Sequence, residues 1–169
     1  MFVNFGSRGN CSRPGREGTF EKEGVYVGLV GARFEKNLRM ESLFCLIDDD
    51  STEFQKWGPF GKEGDYSTHR GKLMKMWAKF YGVSHFPSYK EVKKSNKDEN
   101  MIKLVYGPYF NRSTYITRMR VTVDTFLLEA NARGGDEKKK AYLHIVGLGL
   151  GMWMKTKTQR LWLLQCYAK

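Results

Sequence analysis

The chain has no apolar run approaching the roughly 18 residues of a membrane-spanning helix, so no helical membrane span is expected. Its first residues, Met1-Phe2-Val3-Asn4-Phe5-Gly6-Ser7-Arg8, lack the basic-then-apolar layout of a secretory signal. Cysteine is scarce: Cys11, Cys45 and Cys166 are three, an odd number, widely spaced and without a CxxC pair. That pattern speaks against a disulfide framework or a zinc site, and the expectation is a cytoplasmic protein in a reducing compartment. Internal repeats and low-complexity tracts are also missing. Disorder is excluded by what is present, since 41% of the 169 residues are hydrophobic and 14% aromatic. The length suits one domain with a real core.

Acidic residues are the minority charge, 18 against 29 Lys and Arg, for a net charge of +11. Such a surface attracts polyanions, whether nucleic acid, an acidic membrane surface or a phosphate-bearing ligand. The aromatic-rich motifs of RNA-recognition sheets are missing, so any nucleic-acid affinity is expected to be non-specific and to fade with salt. The one tight basic run, Lys138-Lys139-Lys140, follows Asp136-Glu137 and reads most simply as a solvated entry to a strand.

Along the chain, residues 1–24 carry little apolar periodicity and read as an irregular arm, with a single α/β domain over 25–169. Val25-Tyr26-Val27-Gly28-Leu29-Val30-Gly31-Ala32 reads as a buried strand, and residues 40–47 as its partner, ending in the turn chemistry of Asp48-Asp49-Asp50-Ser51. Residues 51–70 read as a loop. Leu73, Met76, Trp77 and Phe80 fall on one helical face over residues 72–81, with Gly82 placed to stop the helix. Ser88 and Glu91 have capping-box spacing for a short helix, and residues 93–100 read as an exposed loop. Ile116, Met119, Val123, Phe126 and Ala130 step by 3, 4, 3 and 4, which predicts a helix over residues 113–132 that ends at Gly134-Gly135. Residues 141–146 read as a second buried strand and residues 159–168 as a closing helix. If the two apolar strands lack neighbours, an open apolar edge and self-association are expected.

The most informative local order is strand, then Gly147-Leu148-Gly149-Leu150-Gly151, then helix. Glycines after a parallel strand let backbone N–H groups approach a phosphate, and a helix N-terminus adds partial positive charge. A side chain at Gly149 would block that approach. The spacing is GxGxG rather than the dinucleotide GxGxxG, and the simpler reading is that these glycines only allow tight packing. Arg33, at the exit of the first strand, has the chemistry for bidentate phosphate contact; its simpler reading is a surface pair with Glu35 or Glu41. Asp48, Asp49 and Asp50 read as a solvated turn rather than a cation site, because neighbours on a strand point to opposite faces. His69, His85 and His144 have no ligand-like spacing, and His144 reads as a core histidine. No nucleophile elbow is present, and neither a metal nor a cofactor is implied.

Three long motifs carry a resemblance. Glu23-Gly24-Val25-Tyr26-Val27-Gly28-Leu29-Val30-Gly31-Ala32-Arg33-Phe34-Glu35-Lys36 with Met40-Glu41 is the first, and Trp77-Ala78-Lys79-Phe80-Tyr81-Gly82 the second. The third is Phe126-Leu127-Leu128-Glu129-Ala130-Asn131 followed by Lys139-Lys140-Ala141-Tyr142-Leu143-His144-Ile145-Val146-Gly147-Leu148-Gly149-Leu150-Gly151-Met152-Trp153. Together, from about Pro14 to Trp153, the chain resembles the MavL-like family. The resemblance implies a macrodomain-like α/β fold, a mixed sheet flanked by helices. It also implies binding of ADP-ribose or an ADP-ribosylated protein, with hydrolytic removal of ADP-ribose in active members. Gly147, Leu148, Gly149, Gly151 and Arg33 are the residues expected at the ligand. Residues 154–169 do not resemble the strands and acid-bearing segment expected next. The reading is therefore a domain incomplete at its C-terminus, with impaired or lost hydrolase activity and no assignable catalytic residue. The alternative is a non-enzymatic, basic polyanion- or nucleic-acid-binding domain.

Overall fold

The structure is a computed structural model describing residues 3–5, 25–36, 39–49, 60–95, 98–105 and 107–168. Most of the expected arm, Asp50-Ser51 and the loop over 52–59 lie outside the described residues. The chain is mixed α/β and divides into two compact units, residues 1–30 and 31–169. In the first, β1 (Val3–Phe5) pairs antiparallel with β2 (Val25–Val27), Val3 opposite Val27.

The second unit contains α1 (Glu41–Cys45), β3 (Leu46–Ile47), α2 (His69–Phe80), α3 (Tyr89–Lys94), β4 (Met101–Lys103), β5 (Tyr109–Asn111), α4 (Arg112–Asp136) and α5 (Gln159–Tyr167). Its three strands form one antiparallel sheet in the order β3-β5-β4. Helix α4 packs on α5 and on α1.

The helix starts follow local chemistry. Thr68 caps α2 by accepting from the Gly71 N–H, and Gly82 follows the helix in the left-handed region at φ 71°. Ser88 and Glu91 form the expected capping box of α3. The Glu91 carboxyl is also an acceptor for the Lys62 N–H at 3.1 Å and faces His85 Nε2 at 3.2 Å. Burial pushes the Glu91 pKa up, but the hydrogen bonds from Ser88 and Lys62 outweigh it and hold the group below the usual carboxylate range. Asn111 caps α4 through the Thr114 N–H.

Two aromatic cores lie among the described residues. Phe44, Met74, Ala78, Tyr81 and Phe86 form one, with Trp77 and Phe60 packed against it. Phe34, Phe110, Tyr115 and Trp162 form the other, with ring centroids 5.4–6.3 Å apart. Burial pushes the Tyr115 phenol up to about 12, and the neighbouring Gln159 amide opposes the rise without reaching ordinary hydrogen-bond geometry.

Several expectations are corrected. The strand over residues 25–32 is regular only at Val25–Val27. Residues 41–45 are a helical turn, not a strand; a short apolar run does not distinguish the two, and Glu41 in the first turn favours the helix. Helix α2 buries Gly71, Met74 and Ala78, so the face carrying Leu73, Met76 and Phe80 is turned to solvent. Its small residues let the helix approach closely: a Cβ on Gly71 would strike the Asp65 carbonyl. Helix α4 runs through Gly134-Gly135 to Asp136, and Lys138 makes the turn at φ 53°. The glycine serves the returning chain instead, since a Cβ on Gly134 would lie 2.9 Å from the Lys139 carbonyl oxygen. Residues 141–146 have no strand partner among the described residues, and His144 is exposed, its ring 5.2 Å from that of Tyr142.

Tyr142, Ile145 and Val146 are exposed in that stretch, as is Met152 after it. The 169-residue chain is therefore expected to bind a hydrophobic dye in its native state and to self-associate at micromolar concentration. A monomer by sedimentation that leaves the dye dark would refute this.

Candidate functional site

The glycine loop and Arg33 lie far apart in sequence and meet in the fold. Segment 31–36 is held by the side chain of Phe34, which sits in the second aromatic core. Against it lies loop 147–153. A Cβ on Gly31 would be 2.6 Å from the Leu148 carbonyl carbon and 2.7 Å from the Gly149 nitrogen. Gly149 has φ 71°, and a Cβ there would lie 2.9 Å from the Ala32 carbonyl oxygen. Leu148 is buried at this junction. Gly149 is thus required by backbone packing and by conformation.

Gly147 and Gly151 differ. Both are exposed, and a Cβ on Gly151 would meet nothing within 4 Å. The loop therefore has a packed side, Leu148 and Gly149, and an open side, Gly147 and Gly151. Two of its N–H groups are used internally: Leu148 donates to Val146 and Leu150 to Gly147. The loop does not follow a parallel strand, nor does a helix start at its end. Helix α5 begins only at Gln159, whose buried amide oxygen accepts from the N–H groups of Lys155 and Thr156.

Three side chains of the two segments form a set. Arg33 Nη2 donates to both carboxylate oxygens of Glu35, at 2.9 and 3.0 Å. The guanidinium carbon lies 5.1 Å from the centroid of the Trp153 ring. Trp153 Nε1 donates to Glu35 Oε1 at 3.0 Å. The Arg33 and Glu35 side chains keep 35% and 43% of their surface accessible, so the set is open to a ligand.

Glu41 secures the set from behind. One of its oxygens is the acceptor for the Arg33 N–H at 3.1 Å, and the other accepts from Arg118 Nε at 2.8 Å. Arg118 Nη1 donates in turn to Thr122 one helical turn on. The ion pair is largely buried, with 22% of Arg118 and 12% of Glu41 accessible. It ties α1, α4 and segment 31–36 together.

Segment 31–36, which carries Arg33, packs against the glycine loop at Leu148 and Gly149. The expected pairing of Arg33 with Glu35 is formed, and Glu41 meets Arg33 through the backbone N–H instead; Trp153 stood inside the quoted motifs without a role, while Arg118 had no sequence signal beyond its helix. Asp48 and Asp49 do not converge on a site; the Asp49 N–H donates to the Asp48 carboxylate, and Asp50 lies outside the described residues. A separate open groove of about 890 Å³ runs past the end of α4, lined by Leu127, Ala130, Leu143 and the three lysines 138–140.

Comparison with known proteins gives these observations a context. A family model described as ADP-ribosylhydrolase MavL-like matches residues 1–169. The match therefore takes in residues 154–169, where the sequence resemblance stopped at Trp153. ADP-ribosylarginine hydrolase CG3568 of Drosophila melanogaster is 32% identical over 98% of this chain, and ADP-ribosylarginine hydrolase CG2909 of the same organism is 28% identical over 94%. The chain spans about a third of the length of these relatives, 33% and 31%.

Proposed function

The chain belongs to the MavL-like family of ADP-ribosylhydrolases, and from that premise we propose that it binds ADP-ribose carried on the arginine of a modified protein. Arg33 and the open backbone at Gly147 and Gly151 are the proposed contacts to the pyrophosphate. Leu148 and Gly149 shape the loop from its packed side. The observation that carries the reading is that the backbone before Arg33 packs against the glycine loop while the partly exposed Arg33 guanidinium lies over Trp153, two residues past Gly151. A guanidinium with a planar fork matches phosphate oxygens, and exposed glycine backbone admits an anion without Cβ obstruction. A net charge of +11 favours an anionic ligand at long range. A macrodomain-like arrangement of the ligand remains part of the proposal, as does a role in binding rather than bond cleavage for this chain, to which no catalytic residue is assigned.

Titration calorimetry tests it. The full chain is expected to bind ADP-ribose, and Arg33→Ala to weaken that binding at least about tenfold, as losing a charge-assisted contact to phosphate should. A folded wild-type chain that takes up no ADP-ribose would overturn the proposal. Equal affinity for ADP-ribose and for any RNA of similar charge, vanishing at physiological salt, would instead favour bulk polyanion binding.

A further inference from the structure

Glu35 and Trp153 already hold a guanidinium, and it is the chain's own. Arg33 donates to both oxygens of the Glu35 carboxylate while its planar group lies over the Trp153 ring. The Trp153 Nε1–H is bonded to the same carboxylate, so acid and ring are fixed relative to each other independently of Arg33. A carboxylate joined to an aromatic face is suited to a flat, delocalised cation, and much less to a compact ammonium. We propose that Glu35 and Trp153 form a guanidinium subsite that receives the arginine side chain of the modified protein, with Arg33 as its resident occupant. This rests on the ADP-ribose reading above and adds to it the residues that select arginine.

The exchange is consistent in charge. With no ligand, Glu35 neutralises Arg33. With ligand, Arg33 turns to the pyrophosphate and the substrate guanidinium takes its place on Glu35, so each cation again has an anionic partner. Only side-chain torsions of Arg33 need to change. Its backbone is held by the N–H bond to Glu41, and the next residue, Phe34, is buried in the core. The subsite is also within reach of a protein-borne side chain, since Glu35 and the neighbouring Met152 are exposed. Glu35 thus has two effects: it opposes binding of free ADP-ribose by occupying Arg33, and it favours a ligand that brings its own guanidinium.

The experiment compares three ligands on the full chain by calorimetry: ADP-ribose, a peptide ADP-ribosylated on arginine, and the same peptide ADP-ribosylated on serine in place of that arginine. The wild type is expected to prefer the arginine-linked peptide over the serine-linked one by at least about tenfold, the range of a hydrogen bond to a charged group. Glu35→Gln should abolish that preference and tighten ADP-ribose itself several-fold, because Arg33 is released. Trp153→Ala should reduce the preference as well, and if that variant does not fold, Glu35→Gln decides alone. A wild type that binds ADP-ribose without favouring the arginine-linked peptide, or a Glu35→Gln variant that keeps the full preference, overturns the subsite and leaves the ADP-ribose reading standing. A folded wild type that binds none of the three ligands overturns both.

Discussion

Replacing Glu41 with alanine is expected to lower the stability of the chain by about 3 kcal/mol, at the lower end of what breaking a buried ion pair costs. The carboxylate is 12% accessible and serves two partners, the Arg118 guanidinium and the Arg33 N–H. Removing it leaves the guanidinium facing a poorly solvated gap with a hydrogen bond to the Thr122 hydroxyl but no carboxylate in that place. The penalty comes mainly from that uncompensated charge, not from the lost attraction. For a chain of this size the thermal midpoint should fall by roughly 6–12 °C. Glu41→Gln keeps an acceptor oxygen and a similar volume, so it should cost about half as much. Urea denaturation and thermal melts measure both variants. Because Glu41 also fixes the backbone at Arg33, ADP-ribose affinity should fall in both even at temperatures where each is folded. An unchanged midpoint in Glu41→Ala would show that the pair contributes no net stability.

Glu41 also illustrates which parts of the structure were legible beforehand. Helices α2 and α3, and most of α4, follow from short-range chemistry: a capping hydroxyl, an acid three residues later, a 3–4 spacing of apolar residues, while α5 follows from apolar content. Strands depend on partners that the sequence does not identify. Residues 25–32, 40–47 and 141–146 all have strand-like composition, yet one became two short pieces of different kind and another has no pairing. A run such as Leu43-Phe44-Cys45 reads equally as buried helix or buried strand, and only the packing of α1 against α4 decides it. At the site, the Arg33–Glu35 pair was readable because the two residues are close in sequence, and the packing use of Gly149 because a glycine-rich turn admits close backbone approach. The roles of Trp153 and Arg118 were not, because each depends on a contact across the fold: Trp153 with Glu35, Arg118 with Glu41. The face of α2 was misjudged for a related reason. Apolar character favoured Leu73, Met76 and Phe80, whereas close approach favoured the small residues Gly71 and Ala78.

Glycine substitutions should separate the packing role of the loop from its ligand role. Gly31→Ala is expected to be severe, because its Cβ would fall 2.6–2.8 Å from three backbone atoms of Leu148 and Gly149. Backbone cannot yield as a flexible side chain does, so loop 147–151 must move off segment 31–34. We expect a loss of about 3 kcal/mol, at the upper end of ordinary overpacking costs. Gly149→Val combines a similar clash with Ala32 and a left-handed conformation that a β-branched residue strongly resists, so it too should fail through stability. Gly151→Val has neither problem: its site is open and its φ is not in the left-handed region. Its thermal midpoint should stay within about 2 °C of wild type, as for a surface substitution costing under about 0.5 kcal/mol. Its ADP-ribose affinity should nevertheless fall at least about tenfold, since the branched side chain would cover backbone proposed to meet the pyrophosphate. Measuring melting and ligand titration on the same samples gives the contrast. If Gly151→Val binds ADP-ribose as well as the wild type, the open side of the loop is not the contact surface, and Arg33 would have to meet the phosphates without it.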